Sequence, residues 1–407
     1  MTRVPDSPRI DLLSQLALAG DSRGAVAELV TMDNGHRTAF FKLLYAHHVV
    51  IRSLRPLQDA AVRAKASELA EWARNTLMAE EARIANALEF LKMICSEFEE
   101  AGCPTTVMKS LDHWPDIGND LDLYTEATRE ATRHVMERKF RATALPRSWG
   151  DRLAEKCSYR IPGLRATGEI HHGRLGQTGE HRALARRFIT RRVRLSLAGY
   201  AFPIPAPEER VIAATLQRMY RHLYVRICDV LNAGALLETE ELDYAELHAA
   251  ANLGGIWPGV ATYLTIVADY SKQYRGRTLR LPDVVRSVAV LGGKALFFRG
   301  SWLRVPVFPG VPSLYARQVA PPVLGAAAQP RDVKDESPGL FFSAIKSILP
   351  NLTFTETIVN NQPFTLEDLI AFFLRFLKAK GDAVTNQDVK RVVMGRPAVF
   401  STDPAED

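Results

Sequence analysis

The sequence predicts an α+β protein, with largely helical N-terminal and C-terminal parts around a short strand-bearing region and a separate α/β segment appended at the end. Three observations lead there. Residues 1–105 and long stretches after residue 201 carry apolar residues at helical spacing. Between them, Asp120-Leu121-Asp122-Leu123 alternates polar and apolar residues with the period of a strand. Finally, Pro321, Pro322, Pro330 and Pro338 interrupt the composition before a C-terminal stretch of different character.

The elements follow in order. Leu12, Leu13, Leu16 and Leu18 open an amphipathic helix, and 60–73 and 80–98 repeat its spacing. Val107-Met108-Lys109-Ser110 ends a short apolar strand in a loop. Strands are expected at 121–124 and 167–171, with a helix over 126–140 between them. Pro205-Ala206-Pro207-Glu208-Glu209 is a good helix start, and a long helix is expected to run on through 237. Helical spacing continues over 242–274 and 282–296. The domain reading is 1–105 helical, 106–200 a strand-bearing core, 201–318 helical, 319–338 linker and 339–407 a separate segment, without internal repeats.

Composition narrows the class. The 407 residues are 47% hydrophobic and 24% charged, ordinary for a soluble globular protein of two or three domains. The start lacks a signal-peptide pattern, and no apolar run approaches the roughly 20 residues that cross a bilayer. Cys95, Cys103, Cys157 and Cys228 form no C-x-x-C pair, so neither a zinc site nor a disulfide framework is signalled, and a cytoplasmic protein with reduced thiols is expected. The net charge is +6, unevenly placed: residues 129–194 hold 17 Lys+Arg against 6 Asp+Glu, or +11, leaving −5 elsewhere. Such a surface suits a polyanion, a nucleoside triphosphate or RNA. A solvated helix face, as in Arg182, Arg186, Arg187 and Arg191, explains it equally well.

Asp120 and Asp122 point to one strand face, and Leu121 and Leu123 to the other, toward a core. Adjacent like charges repel and give a fold nothing. A divalent cation removes that penalty, and Mg²⁺ is typically held by one or two carboxylates plus substrate phosphates, as phosphoryl and nucleotidyl transfer require. Replacing either aspartate by asparagine is accordingly expected to leave stability equal or higher. The alternative is a solvated strand face with two chance aspartates. His171 shares the face of Glu169, while His172 faces away. His222, Arg226 and Asp229, at i, i+4 and i+7 of the expected long helix, share one face. They either line a pocket or brace helix to sheet. Trp114 and Asp116 sit in the loop before Asp120, where an anchoring role is the simpler reading. His47-His48 has no partner motif.

Residues from about 79 to 315 resemble the nucleotidyltransferase superfamily, in particular its uncharacterised bacterial branch. The resemblance rests on four ordered blocks: the helix before Met108-Lys109-Ser110, then Asn119-Asp120-Leu121-Asp122-Leu123-Tyr124, then Gly168-Glu169-Ile170-His171-His172, then Arg221-His222-Leu223-Tyr224-Val225-Arg226-Ile227-Cys228-Asp229. Ser110 departs from the glycine usual in that branch. The resemblance implies a small mixed sheet with flanking helices, and Mg²⁺ (two ions) held by Asp120, Asp122 and Glu169 as catalytic carboxylates. It implies a nucleoside triphosphate bound through Lys109, Ser110, His171, His222, Arg226 and Asp229. The reaction implied moves a nucleoside monophosphate, from ATP or another triphosphate, to a hydroxyl of a small molecule, protein or RNA, with no membrane partner. Two rivals stand beside it: a toxin-like enzyme modifying tRNA, and a non-catalytic nucleotide-binding or interaction protein on the same fold. Residues 339–407 resemble a fragment of the seventy-kilodalton heat-shock chaperone ATPase, without its phosphate loops and with Phe372, Phe373 and Phe376 as apolar surface.

Overall fold

Every strand of the main sheet is set by its neighbour's register. The computed structural model describes residues 8–19, 22–176, 182–239, 241–276, 278–307 and 314, and further on 356–359, 362–365, 371 and 378. The chain divides into two units, Met1–Arg331 and Asp332–Asp407, and the division falls within the stretch 319–338. That stretch, and Phe372, Phe373 and Phe376, lie outside the described residues.

The fold is mixed α+β. Strands β1 (Thr105–Val107), β2 (Asp120–Thr125), β3 (Thr143–Ala144), β4 (Lys156–Arg160) and β5 (Thr167–His172) form a sheet in the order β1-β2-β5-β4-β3. β2 and β5 run parallel, and the other pairs antiparallel. In β2 the alternation works as expected: Leu121 and Leu123 are fully buried, whereas Asp120 and Asp122 are half-buried on the other face. The helix Arg129–Phe140 starts three residues later than the spacing suggests, because Thr128 caps it by accepting a hydrogen bond from the Ala131 amide (3.2 Å).

The 34-residue helix Ser67–Glu100 buries Leu69, Ala73, Leu77, Glu80, Ile84, Leu88, Leu91, Cys95 and Phe98, a stripe recurring every three or four residues. It packs on the helix Val50–Arg63 and against β1. On the other side of the unit, the helix Trp257–Arg275 is buried from Gly259 through Ala268. It forms the centre of the helical part, flanked by Ile227–Glu238 and Tyr244–Gly254. Among the described residues, no helix is long and apolar enough to cross a membrane.

Two expectations are corrected. The long helix over 205–237 is broken: Pro207–Thr215 passes into a π-helical turn, Leu216–His222, Leu223 turns left-handed (φ 54°), and a new helix spans Ile227–Glu238. The break follows from pairing. β8 (Tyr224–Val225) joins β9 (Phe297–Arg299) and β10 (Trp302–Arg304) in a second sheet, with Val225 opposite Leu303. The helix expected over 282–296 is only Asp283–Arg286 plus a 3-10 turn, Gly293–Ala295, whose Gly293 amide donates to Asp269 (2.9 Å). Elements not expected from the sequence are β3, β4 and a hairpin of β6 (Arg192–Leu197) and β7 (Tyr200–Pro205). The hairpin's two turn residues, Ala198 and Gly199, both have positive φ (49° and 73°), which matches strand twist. The second unit contains a hairpin of β11 (Glu356–Val359) and β12 (Gln362–Thr365).

One glycine makes room for the broken helix. A Cβ at Gly259 would stand 2.3 Å from the Tyr220 ring, inside the π-helical turn. Gly259→Ala must therefore displace Tyr220 and with it the turn carrying Arg218, Arg221 and His222. Overpacking of this kind costs roughly 1–3 kcal/mol. Urea unfolding of the variant should show that loss, and wild-type stability would exclude the close approach.

Candidate active-site cleft

The parallel register of β2 and β5 sets Asp122 directly opposite Glu169, and Asp120 opposite Thr167. On the far side of β5, β4 sets Ser158 opposite Glu169 and Lys156 opposite His171. One sheet face thus collects three carboxylates, a histidine and a lysine. The carboxylates are not left to repel. Lys109 Nζ lies 2.6 Å from Asp122 Oδ1. Lys156 Nζ donates to both Glu169 oxygens at 2.9 Å and lies 3.2 Å from Asp151 Oδ1. Thr167 Oγ1 donates to Asp120 Oδ1 (2.8 Å). Burial raises the Asp120 pKa, and Glu169 and Asp122 add to the shift. Burial also works to raise Asp122, but Lys109 and His171 overcome it and hold that carboxyl well below the usual range.

Repulsion at Asp122 is therefore already relieved by Lys109, so the expected gain in stability from Asp122→Asn does not follow. Asp122, Glu169 and His171 offer ligand atoms within 4.8 Å of one another. Among the described residues this is the one such group, and Asp120, tied to Thr167, stands outside it. His171 is 1% exposed, and among the described residues neither ring nitrogen has a hydrogen-bond partner; Nε2 lies 3.5 Å from Asp122 Oδ1. Burial lowers its pKa.

Lys109 reaches Asp122 through an unusual turn. Its φ of 76° and ψ of −46°, with the Ser110 amide donating to Met108 O (3.0 Å), make a γ-turn with positive φ, a strained conformation costing roughly 1–3 kcal/mol. Ser110 holds it closed: Oγ donates to Asp120 O (3.1 Å) and accepts from the Asp122 amide (2.8 Å). Serine in place of glycine thus ties the turn to β2. It also means that the Ser110 amide and hydroxyl, expected on a phosphate, are engaged within the protein.

The opposite wall comes from the broken helix. Arg218, Arg221 and His222 from the π-helical turn, and Arg226 from the next helix's start, line a cleft of about 220 Å³ above the acidic face. Asp229 does not line it. Its carboxylate accepts from the Arg226 amide (2.7 Å) and pairs with Arg218 Nε (2.7 Å), both side chains being buried. Its oxygens are thus engaged in bracing the start of the next helix. His222 is driven to a pKa of about 3 by burial and by Arg221, Arg218 and Arg226.

Several residues that sequence reasoning left unassigned belong here. Lys156 lies in β4, a strand the sequence did not signal. Arg226 donates to His48 Nε2 and lies 5.5 Å from the Trp302 ring centre. His48 stacks on His113 (5.0 Å), which accepts from Asn232 Nδ2 (2.8 Å). A Cβ at Gly118 would press to 3.2 Å from the His48 ring. His47 accepts from the Ile227 amide (3.0 Å) and donates to Ser301 O (2.8 Å), capping the helix that follows Arg226. Asp116 is the loop anchor: it accepts from the Ile51 amide (2.7 Å) and pairs with Arg52 (3.1 Å), while Trp114 is 41% exposed.

The basic stretch is less free than its composition suggests. Arg187 pairs with the buried Glu209 and with Glu246, each at 2.6 Å, and Arg191 with Glu208 at 3.0 Å. Arg192 and Arg194 share Glu99, and Lys139 takes Glu97. Arg186 remains exposed, 3.9 Å from Glu126. The acidic excess elsewhere in the chain supplies these partners, so the surface left to RNA is smaller than +11 implies.

No protein-family model matches this chain, and no curated protein sequence does either.

His47, which is buried, and His172 and His222, which are half-buried, give a pH prediction. His47 and His172 have pKa values near 4 and His222 near 3, each lowered first by burial. The folded state keeps them neutral, whereas the unfolded chain protonates them near 6.5. Unfolding therefore takes up protons below pH 6.5, and stability must fall as pH drops toward 4, by up to ~1.4 kcal/mol per pH unit for each histidine. Urea denaturation at pH 7.5, 6 and 5 should show the decline; a flat profile would contradict the neutral assignment.

Proposed function

We propose that this protein is a metal-dependent nucleotidyltransferase. The observation that carries the reading is the cleft's two-sided charge: Asp122 and Glu169 on its floor, Arg221 and Arg226 on its wall. A nucleoside triphosphate needs both a place for a divalent cation and a place for its own negative charge. The donor set fits such a cation, since Asp122, Glu169 and His171 converge and, among the described residues, the buried His171 nitrogens have no hydrogen-bond partner. Asp122, Glu169 and His171 would hold it, with Asp120 alongside. When bound, Mg²⁺ or Mn²⁺ neutralises phosphate oxygens as charge develops on them.

The protein's own groups do the remainder. Arg221 and Arg226 hold the β- and γ-phosphates and orient the α-phosphorus toward the acidic floor. An acceptor hydroxyl oxygen forms the new bond to that phosphorus, the bond to the bridging oxygen of the β-phosphate breaks, and pyrophosphate leaves with the electron pair. The hydroxyl proton passes to Glu169, which Lys156 keeps oriented. The acceptor is a small molecule, a protein side chain or an RNA end.

A second reading, a catalytically silent nucleotide-binding protein, is favoured by one observation: both Asp122 and Glu169 are already paired with lysines. Incubation with labelled nucleoside triphosphates, Mg²⁺ and a metabolite, protein or RNA mixture separates the two. Transfer of label with release of pyrophosphate is expected, and Glu169→Gln should slow it roughly 10²–10⁴-fold. Nucleotide binding without turnover in any mixture would support the silent reading.

A further inference from the structure

Most arginines packed into the first unit meet a carboxylate, while a few, such as Arg37 on the Leu29 and Val30 carbonyls, do not. Arg52, Arg83, Arg187, Arg191, Arg192, Arg194, Arg210, Arg218 and Arg275 each have a carboxylate within 4 Å. Arg221 and Arg226, half-buried on the cleft wall, have none among the described residues. Arg226 in addition keeps a buried Nε without a hydrogen-bond partner among the described residues. Its guanidinium is held by His48 and by Trp302 and Tyr224, ring centres 5.5 and 5.7 Å away, none of which neutralises it. Half-buried cations without counter-charge are costly unless a ligand supplies it.

Across the cleft, the acidic floor does not supply it. Lys109 occupies Asp122 and Lys156 occupies Glu169, so that two of its three carboxylates are neutralised within the floor. His48, His113 and His222 add no charge, each being kept neutral by burial. The cleft therefore carries positive charge before any divalent cation enters it.

We infer that Arg221 and Arg226 form a polyphosphate-binding wall that captures its ligand without a divalent cation, the lysine-covered floor having removed the repulsion that a metal would otherwise have to screen. The inference deepens the nucleotidyltransferase reading and rests on it for the identity of the natural ligand. Its probe carries no nucleoside, so the two fail separately. Guanidinium forks suit phosphate oxygens better than ammonium groups do, so charge alone is not sufficient.

The experiment is titration calorimetry of the full chain with inorganic tripolyphosphate in EDTA. One-site binding that weakens as salt rises is expected. Arg221→Ala and Arg226→Lys should each weaken it at least about tenfold, the second while retaining charge. Melting curves of both variants, and the exposed control Arg186→Ala with unchanged affinity, separate lost binding from lost folding. Binding that appears only when Mg²⁺ is added overturns the inference. So does wild-type affinity in both variants. If tripolyphosphate binds as expected but no nucleotide is ever transferred, the wall stands and the enzymatic reading falls.

Discussion

The structure depends on one constraint: the parallel register of β2 and β5 puts Asp122 and Glu169 side by side on a half-buried face. Two carboxylates about 4 Å apart repel by on the order of 4 kcal/mol at an effective dielectric near 20. Lys109 and Lys156 answer that cost. To bring Lys109 over Asp122 the chain accepts a strained γ-turn, and Ser110 closes it onto β2. To bring Lys156 over Glu169, β4 runs antiparallel to β5 with Lys156 on the same face, its ammonium further held by Asp151.

The opposite wall obeys a different rule. Arg218 is stabilised by Asp229, which also takes the Arg226 amide, so one buried carboxylate fixes both the turn and the start of the next helix. His47 supports the same helix start as a neutral acceptor and donor. Gly259 gives Tyr220 the space that lets the π-helical turn sit against the central helix. Arg221 and Arg226 are thereby presented on the cleft wall without a carboxylate of their own among the described residues.

Much of this was legible in the sequence. The alternation around Asp120 and Asp122 gives a strand, its buried leucines and its acidic face, and Glu169 on a second strand follows from its β-prone surroundings. Local signals also existed for the β6–β7 hairpin, where Val193, Leu195 and Leu197 alternate up to Ala198-Gly199 and Tyr200, Phe202 and Ile204 alternate beyond it. What was not legible depends on long-range pairing. The helix over 205–237 breaks because β10, nearly eighty residues onward, takes Tyr224–Val225 as a strand. The basic run of 129–194 looked like an open surface because its partners, Glu97, Glu99, Glu208, Glu209 and Glu246, lie outside it in sequence. His48 and Lys156 carry no motif, and distant contacts alone give them their places.

The most direct test is the affinity of the acidic floor for a divalent cation once its lysines are gone. Mn²⁺ binding, followed by its electron paramagnetic resonance signal, should be compared in the wild type and in a Lys109→Met, Lys156→Met double variant. If the lysines are resident counter-charges on a metal site, the double variant binds Mn²⁺ at least about tenfold more tightly and melts lower without it, with Mn²⁺ restoring stability. Equal or weaker Mn²⁺ binding in a folded double variant would show that Asp122, Glu169 and His171 are not a metal site and that the ion pairs are the floor's end state.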